Sequence, residues 1–324
     1  MRANMNVKFS LLTWMIASVA VAGENNPATD WMVEAKVGAF MHFLPGKSNF
    51  QQVEKFDVLA LTKQLVDSGV RYFVFTLGQN SGYMNSPNST YDTVAGYDTG
   101  ERCSKRDLPW ELATALKPHG IRFLLYLPCQ TPNQDLKAIR AFGLPEQPLN
   151  GDRKIDVVFA KKWAGVIREW SDRYGDMVSG WWFDGGYEWV GFNNEIAGIY
   201  SEAAKHGNPR AVVTFNPGVS LKRWTDSEDY TAGELNEPFT YACNGRWING
   251  SQWHVLTFLG KSWGKRETRY PDEQWTKWIG GVATKGGVVT LDLGPSYDVS
   301  TAPVGTFSEA QIKQLCIIVA AARK

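Results

Sequence analysis

The sequence has little excess charge, few cysteines and few histidines. Its 34 lysines and arginines are balanced by 33 aspartates and glutamates, so the net charge is +1. Because phosphate binding needs a surplus of Lys and Arg, we expect no nucleic-acid partner. The four cysteines, Cys103, Cys129, Cys243 and Cys316, lack C-x-x-C spacing, which argues against a zinc site. One disulfide is allowed in an exported protein, but Cys316 lies in an apolar helical pattern that favours a buried free thiol.

Long apolar runs are also absent, apart from a short one at the N-terminus. Arg2 and Lys8 supply positive charge, residues 9–21 are mostly apolar, and Ala-Val-Ala at 20–22 has the small-x-small pattern of a cleavage site. This is the pattern of a signal peptide, which we assign to residues 1–22. The run is too short for a membrane span, and no other segment approaches the roughly 20 apolar residues that a span needs. We therefore expect an exported protein, periplasmic or secreted, without a membrane span.

The remaining chain, residues 23–324, alternates β-branched or aromatic runs with helical patterns. Such alternation predicts a parallel sheet, and eight apolar runs favour a (β/α)8 TIM-type barrel of a single domain. A doubly wound open sheet is the alternative, but no G-x-G-x-x-G opens a first helix. The predicted strands are Val37–Leu44, Tyr72–Gly78, Arg122–Pro128, Gly180–Asp184, Ala211–Asn216, Tyr230–Glu234, His254–Gly260 and Gly287–Leu293. The predicted helices are Val58–Ser68, Trp110–Lys117, Asp156–Tyr174, Asn193–His206, Asp272–Thr284 and Ser308–Ala322.

Two carboxylates stand at the ends of predicted strands, where a barrel of this type carries its active site. Asp184 ends the apolar strand GWWFDGG at 180–186, and the two glycines after it allow a ligand to approach the backbone. Glu234 ends the sixth predicted strand, and Glu237, three residues later, is the alternative. Glycoside hydrolysis needs such a pair: one carboxylate attacks or directs water, and the other protonates the leaving oxygen. We interpret Asp184 and Glu234 as the catalytic pair.

Polar and aromatic side chains surround this pair at the other strand ends. A sugar is bound by hydrogen-bonding groups together with flat apolar faces, and the chain has 14 tryptophans. Neither carboxylate lies in a cluster of metal ligands, so we predict no metal and no cofactor. The predicted substrate-binding residues are His42, Gln79, Asn80, Tyr126, Trp182, Asn216 and Trp263.

Several segments, in order along the chain, resemble glycoside hydrolase family 29, the α-L-fucosidases. KVGAFMH at 36–42 resembles the first strand of that family, and GIRFLLY at 120–126 resembles the third. WFDG at 182–185 resembles the strand that carries the nucleophile, and KGGVVTLDLGP at 285–295 resembles the closing strand. The resemblance implies a (β/α)8 barrel and a retaining mechanism in which Asp184 attacks the sugar.

The sequence also departs from that family at positions whose side chains, by the resemblance, would bind the sugar hydroxyls. Gln79 and Asn80 stand where the family usually carries two adjacent histidines, and Asn216-Pro-Gly replaces a segment that often contains Arg. We expect no β-sandwich domain after the barrel. Three functions stay open besides α-L-fucosidase: hydrolysis of an L-galactoside or a substituted fucoside, binding of a glycan without cleavage, and endo-acting hydrolysis of a polysaccharide.

Overall fold

The computed structural model describes residues 26–324, except 45, 49, 131, 147–151 and 243. The predicted signal peptide and Cys243 lie outside the described residues. The strands are β1 (Val37–Met41), β2 (Tyr72–Thr76), β3 (Arg122–Pro128), β4 (Val178–Asp184), β5 (Val212–Phe215), β6 (Trp247–Ile248), β7 (Ser251–Gln252), β8 (His254–Phe258) and β9 (Val288–Asp292). The α-helices are α1 (Asp30–Ala35), α2 (Val58–Ser68), α3 (Ser89–Ala95), α4 (Leu108–Leu116), α5 (Leu136–Phe142), α6 (Val157–Tyr174), α7 (Asn194–Lys205), α8 (Asp272–Ala283) and α9 (Glu309–Ala322).

Seven strands form one parallel sheet in the order β5-β4-β3-β2-β1-β9-β8, and β6 and β7 form a small antiparallel hairpin. Side chains of β1, β2, β5, β8 and β9 are buried on both faces, which explains their continuous apolar character. Helices cover the outer face, and most of them begin at an Asp, Asn or Ser whose side chain accepts a backbone N–H, as Asp156 does from Phe159. The prediction of an α/β fold with a parallel sheet is confirmed.

The prediction of a sixth regular strand over Tyr230–Glu234 was wrong. The segment makes only isolated bridges, from Tyr230 to Gln252 and from Glu234 to Leu256. Buried polar residues explain this: Thr231 Oγ1 donates to the carbonyl of His254 at 2.8 Å and accepts its N–H at 3.0 Å, so a side chain replaces a backbone partner. The described chain therefore forms a TIM-like sheet of seven parallel strands and not eight regular ones.

The segment from Asp229 to Leu235 lies between the two edge strands, β5 and β8, and contacts both, so the sheet is curled. On one side Asp229 N–H donates to the carbonyl of Val213 in β5 at 2.9 Å, and on the other Leu235 N–H donates to the carbonyl of Leu256 in β8 at 2.9 Å. The curled sheet encloses a core of aromatic and aliphatic side chains, among them Phe40, Tyr72, Leu124, Tyr126, Trp182 and Leu256, with Met32 of α1 packed against them. No α-helix lies between β5 and β8 in the described residues, so long irregular loops stand beside the strand ends there.

Cys103 and Cys129 are buried free thiols. Cys316 is a free thiol as expected, but the expectation that it is buried was wrong, because it is partly exposed. Within the described ranges no helix is both long and apolar enough to cross a membrane.

Candidate active site

Asp184 lies at the carboxyl end of β4, where hydrogen bonds fix both of its carboxylate oxygens. Oδ1 accepts the backbone N–H of Gly185 at 2.8 Å and the side-chain amide of Asn216 at 2.9 Å. Oδ2 accepts the phenol hydrogen of Tyr126 at 2.5 Å. Gly185 adopts a φ of +74°, which turns the chain so that its N–H faces the preceding side chain. The carboxylate is half-buried and therefore both oriented and accessible.

Glu234 lies beside Asp184, joined to it through one nitrogen. Asn216 Nδ2 also lies 2.5 Å from Glu234 Oε2, so the two carboxylate oxygens that share this donor are within about 5.4 Å of each other. Asn216 itself is buried, and its backbone N–H donates to the carbonyl of Phe183 at 2.7 Å. It follows Phe215, the last residue of β5, so the neighbouring strand holds the amide directly between the two acids.

The surroundings of Glu234 favour its protonated form. Burial raises the pKa of its carboxyl above the ordinary value, and the negative charge of Asp184 raises it further, against the lowering effects of Asn216 and His42. A carboxyl group whose pKa is raised in this way is suited to hold a proton and to donate it.

Glu237, the alternative acid, is elsewhere. Its side chain is exposed, accepts the phenol hydrogen of Tyr270 at 2.6 Å and lies 3.8 Å from the guanidinium of Arg269. It does not line the cavity that contains Asp184 and Glu234.

A cavity of about 420 Å³ opens above the two acids. This volume is in the range of small-ligand sites, and its walls combine aromatic rings with a few convergent polar groups. Of the predicted site residues, His42, Gln79, Tyr126, Trp182 and Trp263 line it together with Asp184 and Glu234. Asn216 lies under the acids, and Asn80 lies beside the cavity and not among its lining residues. The cavity is also lined by five residues that the sequence did not predict: Leu44, Tyr187, Leu256, Gly264 and Tyr297.

Tyr126 connects Asp184 to Gln79 and to the aromatic wall. The amide nitrogen of Gln79 donates to the phenol oxygen, which in turn donates to Asp184. Burial raises the pKa of Tyr126 well above its usual range, and the charge of Asp184 adds to this, so the phenol stays protonated and remains a donor. The ring stacks on Trp182 with centroids 5.4 Å apart and an angle of 15°. A neutral chain of donors thus ends on the carboxylate.

His42 is held from the opposite side by Asp292 at the end of β9. Its Nδ1 lies 3.0 Å from Asp292 Oδ1, and the other oxygen of Asp292 accepts the backbone N–H of Gly264 at 2.6 Å. This contact leaves Nε2 as the ring nitrogen of His42 that Asp292 does not hold. The ring of Trp263 packs edge-on against His42 at 5.6 Å. Asp292 was not among the predicted site residues.

The described residues contain no group of three or more His, Cys, Asp or Glu side chains that could hold a metal ion. The side chains that line the cavity supply two carboxyl groups, phenols and an imidazole.

Comparison with solved structures shows the same fold in sugar-cleaving proteins. The endo-fucoidan hydrolase MfFcnA4 from glycoside hydrolase family 107 matches with a TM-score of 0.70 and 17% identity over 92% of this chain and 54% of that chain. The alpha-L-fucosidase AlfC from Lactobacillus casei, in complex with alpha-L-fucose product, matches with a TM-score of 0.64 and 16% identity over 92% and 98% of the two chains. A bacterial fucosidase with a monovalent iminocyclitol inhibitor matches with a TM-score of 0.63 and 18% identity over 91% and 74%. The chain thus spans about half the length of MfFcnA4.

No curated protein matches this chain in sequence. The alpha-L-fucosidase family model, however, matches residues 47–316, which is most of the chain. This match confirms the resemblance seen in the strand motifs. The protein therefore belongs to the alpha-L-fucosidase family, a family of glycoside hydrolases.

Proposed function

We propose that this protein is a retaining, exo-acting glycoside hydrolase that releases L-fucose or a related L-sugar from glycans. The observation that carries the proposal is the pair Asp184 and Glu234, joined through Asn216 at the base of a cavity with aromatic walls. Carboxyl groups about 5–5.5 Å apart belong to retaining enzymes, whereas inverting enzymes keep them roughly 6.5–9.5 Å apart to leave room for a water. A limit of about 5.4 Å between the two bridged oxygens supports the first arrangement.

In the first step, a carboxylate oxygen of Asp184 attacks the anomeric carbon while the bond to the leaving oxygen breaks. Glu234 transfers its proton to that oxygen, and the sugar becomes an ester of Asp184. Ester formation removes the negative charge of Asp184, which is one of the causes of the raised pKa of Glu234. The pKa of Glu234 then falls, and its carboxylate can take a proton from the water that hydrolyses the ester.

Tyr126, Gln79 and His42 have supporting roles in this proposal. The Tyr126 phenol holds Asp184 in one orientation, and Gln79 holds the phenol. His42, oriented by Asp292, offers Nε2 to a sugar hydroxyl. Trp182 and Trp263 offer apolar surface to the C–H groups of the sugar ring.

The fold fits this proposal as a TIM-type barrel in which segment 230–234 takes the place of the sixth strand. In such a barrel the site lies at the carboxyl ends of the strands, which is where β3, β4, β5 and β9 carry their polar residues. From the N-terminal sequence we also propose export, with action outside the cytoplasm.

The test is activity on a panel of aryl α-L-glycosides that includes the fucoside and the galactoside, for wild type and Asp184→Asn. We expect release of the free monosaccharide by wild type and loss of that release in the variant. If both proteins behave alike on every glycoside that is accepted, the proposal is wrong. Binding of L-fucose without turnover of any glycoside would favour a glycan-binding protein.

A further inference from the structure

Trp189 differs from the other large aromatic side chains of the described chain in its exposure. It lies in the single helical turn Glu188–Val190, five residues after Asp184, and 57% of its surface is accessible. Trp163, Trp170 and Trp181, by contrast, are fully buried in the core. Among the tryptophans that the structure describes, Trp110, at 44%, is the only other one with an exposed side chain.

The exposed ring of Trp189 is nevertheless fixed in place. Its indole N–H donates to Asp152 Oδ2 at 2.8 Å, and its backbone carbonyl accepts a hydrogen bond from Lys154 Nζ. One ring face stacks on Tyr187, with centroids 4.3 Å apart and an angle of 17°. Because Tyr187 covers that face, the accessible area belongs mainly to the opposite face and the outer edge. A flat apolar surface that is held rigid binds a ligand with little further loss of side-chain entropy.

The stacked pair reaches from the two acids to the surface. Tyr187 lines the cavity, and burial together with the charges of Asp184 and Glu234 raises the pKa of its phenol. Gly218 lies beside both rings: a Cβ at this position would be 3.7 Å from Tyr187 and 3.9 Å from Trp189. The N–H of Gly218 donates to Asn216 Oδ1 at 3.1 Å, so the same loop contacts the aromatic pair and the residue that bridges the acids.

We propose that Tyr187 and Trp189 form a binding site for the leaving-group sugar, in which a pyranose ring lays its C–H face on the outer face of Trp189. The inference rests on the proposed function, because it takes the sugar that is cut off to lie in the cavity. The glycosidic oxygen then lies next to Asp184 and Glu234, and the second sugar ring lies outside the cavity, against the Tyr187–Trp189 stack. The substrate class is a fucosylated oligosaccharide with a pyranose next to the fucose, not a fucoside of a small alcohol.

The experiment compares kcat/KM on three kinds of substrate for wild type, Trp189→Ala, Trp189→Phe and Trp110→Ala. α-L-Fucosyl fluoride has no leaving-group ring, methyl α-L-fucoside has a minimal one, and a set of α-L-fucosyl disaccharides that differ in linkage has a full pyranose. We expect wild type to cleave its best disaccharide faster than the methyl fucoside. Trp189→Ala should lower the ratio of kcat/KM for that disaccharide to kcat/KM for the fluoride about fivefold to tenfold, the size of a stacking contact.

Trp189→Phe keeps a flat ring and should restore most of the ratio, and Trp110→Ala should leave it at the wild-type value. An equal loss on fluoride and disaccharide would mean a structural role, and an unchanged ratio would mean that the ring is not used; either overturns the inference. So would a wild type that cleaves the fluoride but no disaccharide faster than the methyl fucoside. A wild type that cleaves nothing, the fluoride included, overturns the proposed function itself. Light scattering on wild type and Trp189→Ala tests whether a second copy of the chain, and not a sugar, covers Trp189. Dissociation of an oligomer in the variant, with an unchanged ratio, would assign the outer face of Trp189 to a second copy and overturn the inference.

Discussion

The carboxylates of Asp184 and Glu234 share a single hydrogen-bond donor, the side-chain nitrogen of Asn216, which lies 2.9 Å from one and 2.5 Å from the other. The shared donor fixes their separation and links their charges. It stabilises the ionised form of Glu234, while burial and the negative charge of Asp184 raise the pKa of Glu234. Because these effects act on the same few atoms, substitutions around the pair have distinct and measurable consequences.

Asp184→Gly should reduce turnover of an aryl α-L-fucoside by at least about 10³-fold, because no group remains to form the glycosyl ester. The space left beside Asn216 and Tyr126 admits a small anion, so added azide should restore part of the turnover and give a β-L-fucosyl azide. NMR of the wild-type reaction should show the α-anomer of the released sugar first. First appearance of the β-anomer would contradict the retaining mechanism.

Glu234→Gln should separate substrates by the basicity of their leaving group. A second sugar needs a proton on its departing oxygen, so its release should fall by roughly 10²- to 10⁴-fold. Dinitrophenolate departs without a proton, so a dinitrophenyl glycoside should form the ester at nearly the wild-type rate. Glu237→Gln is the matched control: its side chain is exposed and bound to Tyr270, so it should keep activity within about twofold. A dead Glu237→Gln with a fully active Glu234→Gln would move the acid role to Glu237.

Asn216→Leu should move the alkaline limb of the profile of kcat/KM against pH to higher values. That limb reports loss of the proton from the acid, and the Asn216 hydrogen bond lowers the pKa of Glu234. Removing a hydrogen bond to the charged form should raise this pKa and move the limb with it, and kcat should fall because Asp184 loses the same donor. Glu237→Gln should leave the limb in place. A limb that does not move in Asn216→Leu would mean that another group controls it.

Glu228 should make the free energy of unfolding depend on pH. Burial raises the pKa of its carboxyl from 4.5 to about 7, although it accepts N–H groups of Trp224, Thr225 and Phe215. Between these two values Glu228 binds more protons in the folded protein than in the unfolded chain. Its contribution to the free energy of unfolding is therefore fully present below pH 4.5 and falls by about 3 kcal/mol as pH rises through about 7.

Glu228→Gln lacks this titration. The difference in unfolding free energy between wild type and variant, measured in urea at several pH values, should therefore shift against wild type as pH rises from 5 to 8. The glutamine also replaces one acceptor oxygen by a donor among backbone N–H groups, which adds a cost that does not depend on pH. A difference that stays constant from pH 5 to 8 would show that Glu228 does not titrate in this range.

Local patterns determined most of the elements. The helix over Val58–Ser68 and the strands that begin at Val37, Tyr72, Arg122 and His254 appear where the helical pattern and the apolar runs predicted them. The prediction of the sixth strand was wrong, because the hydroxyl of Thr231 takes the place of a backbone partner of His254. No local sequence pattern shows which distant group a side chain will contact. The short helices α1, α3 and α5 were also missed, since segments of six or seven residues carry too little periodicity.

The sequence by itself determined that Asp184 would stand at a strand end and that the chain resembles α-L-fucosidases, because both depend on residues that are neighbours along the chain. Only the tertiary structure decided that Glu234 and not Glu237 lies in the cavity with Asp184, and that Asn216 lies beneath the acids and bridges them. These relationships join residues 18 to 50 positions apart through the curl of a parallel sheet. Side chains at the strand ends of the sheet come within hydrogen-bond distance because the ends of neighbouring strands are aligned. The spacing of the residues along the chain does not specify that alignment.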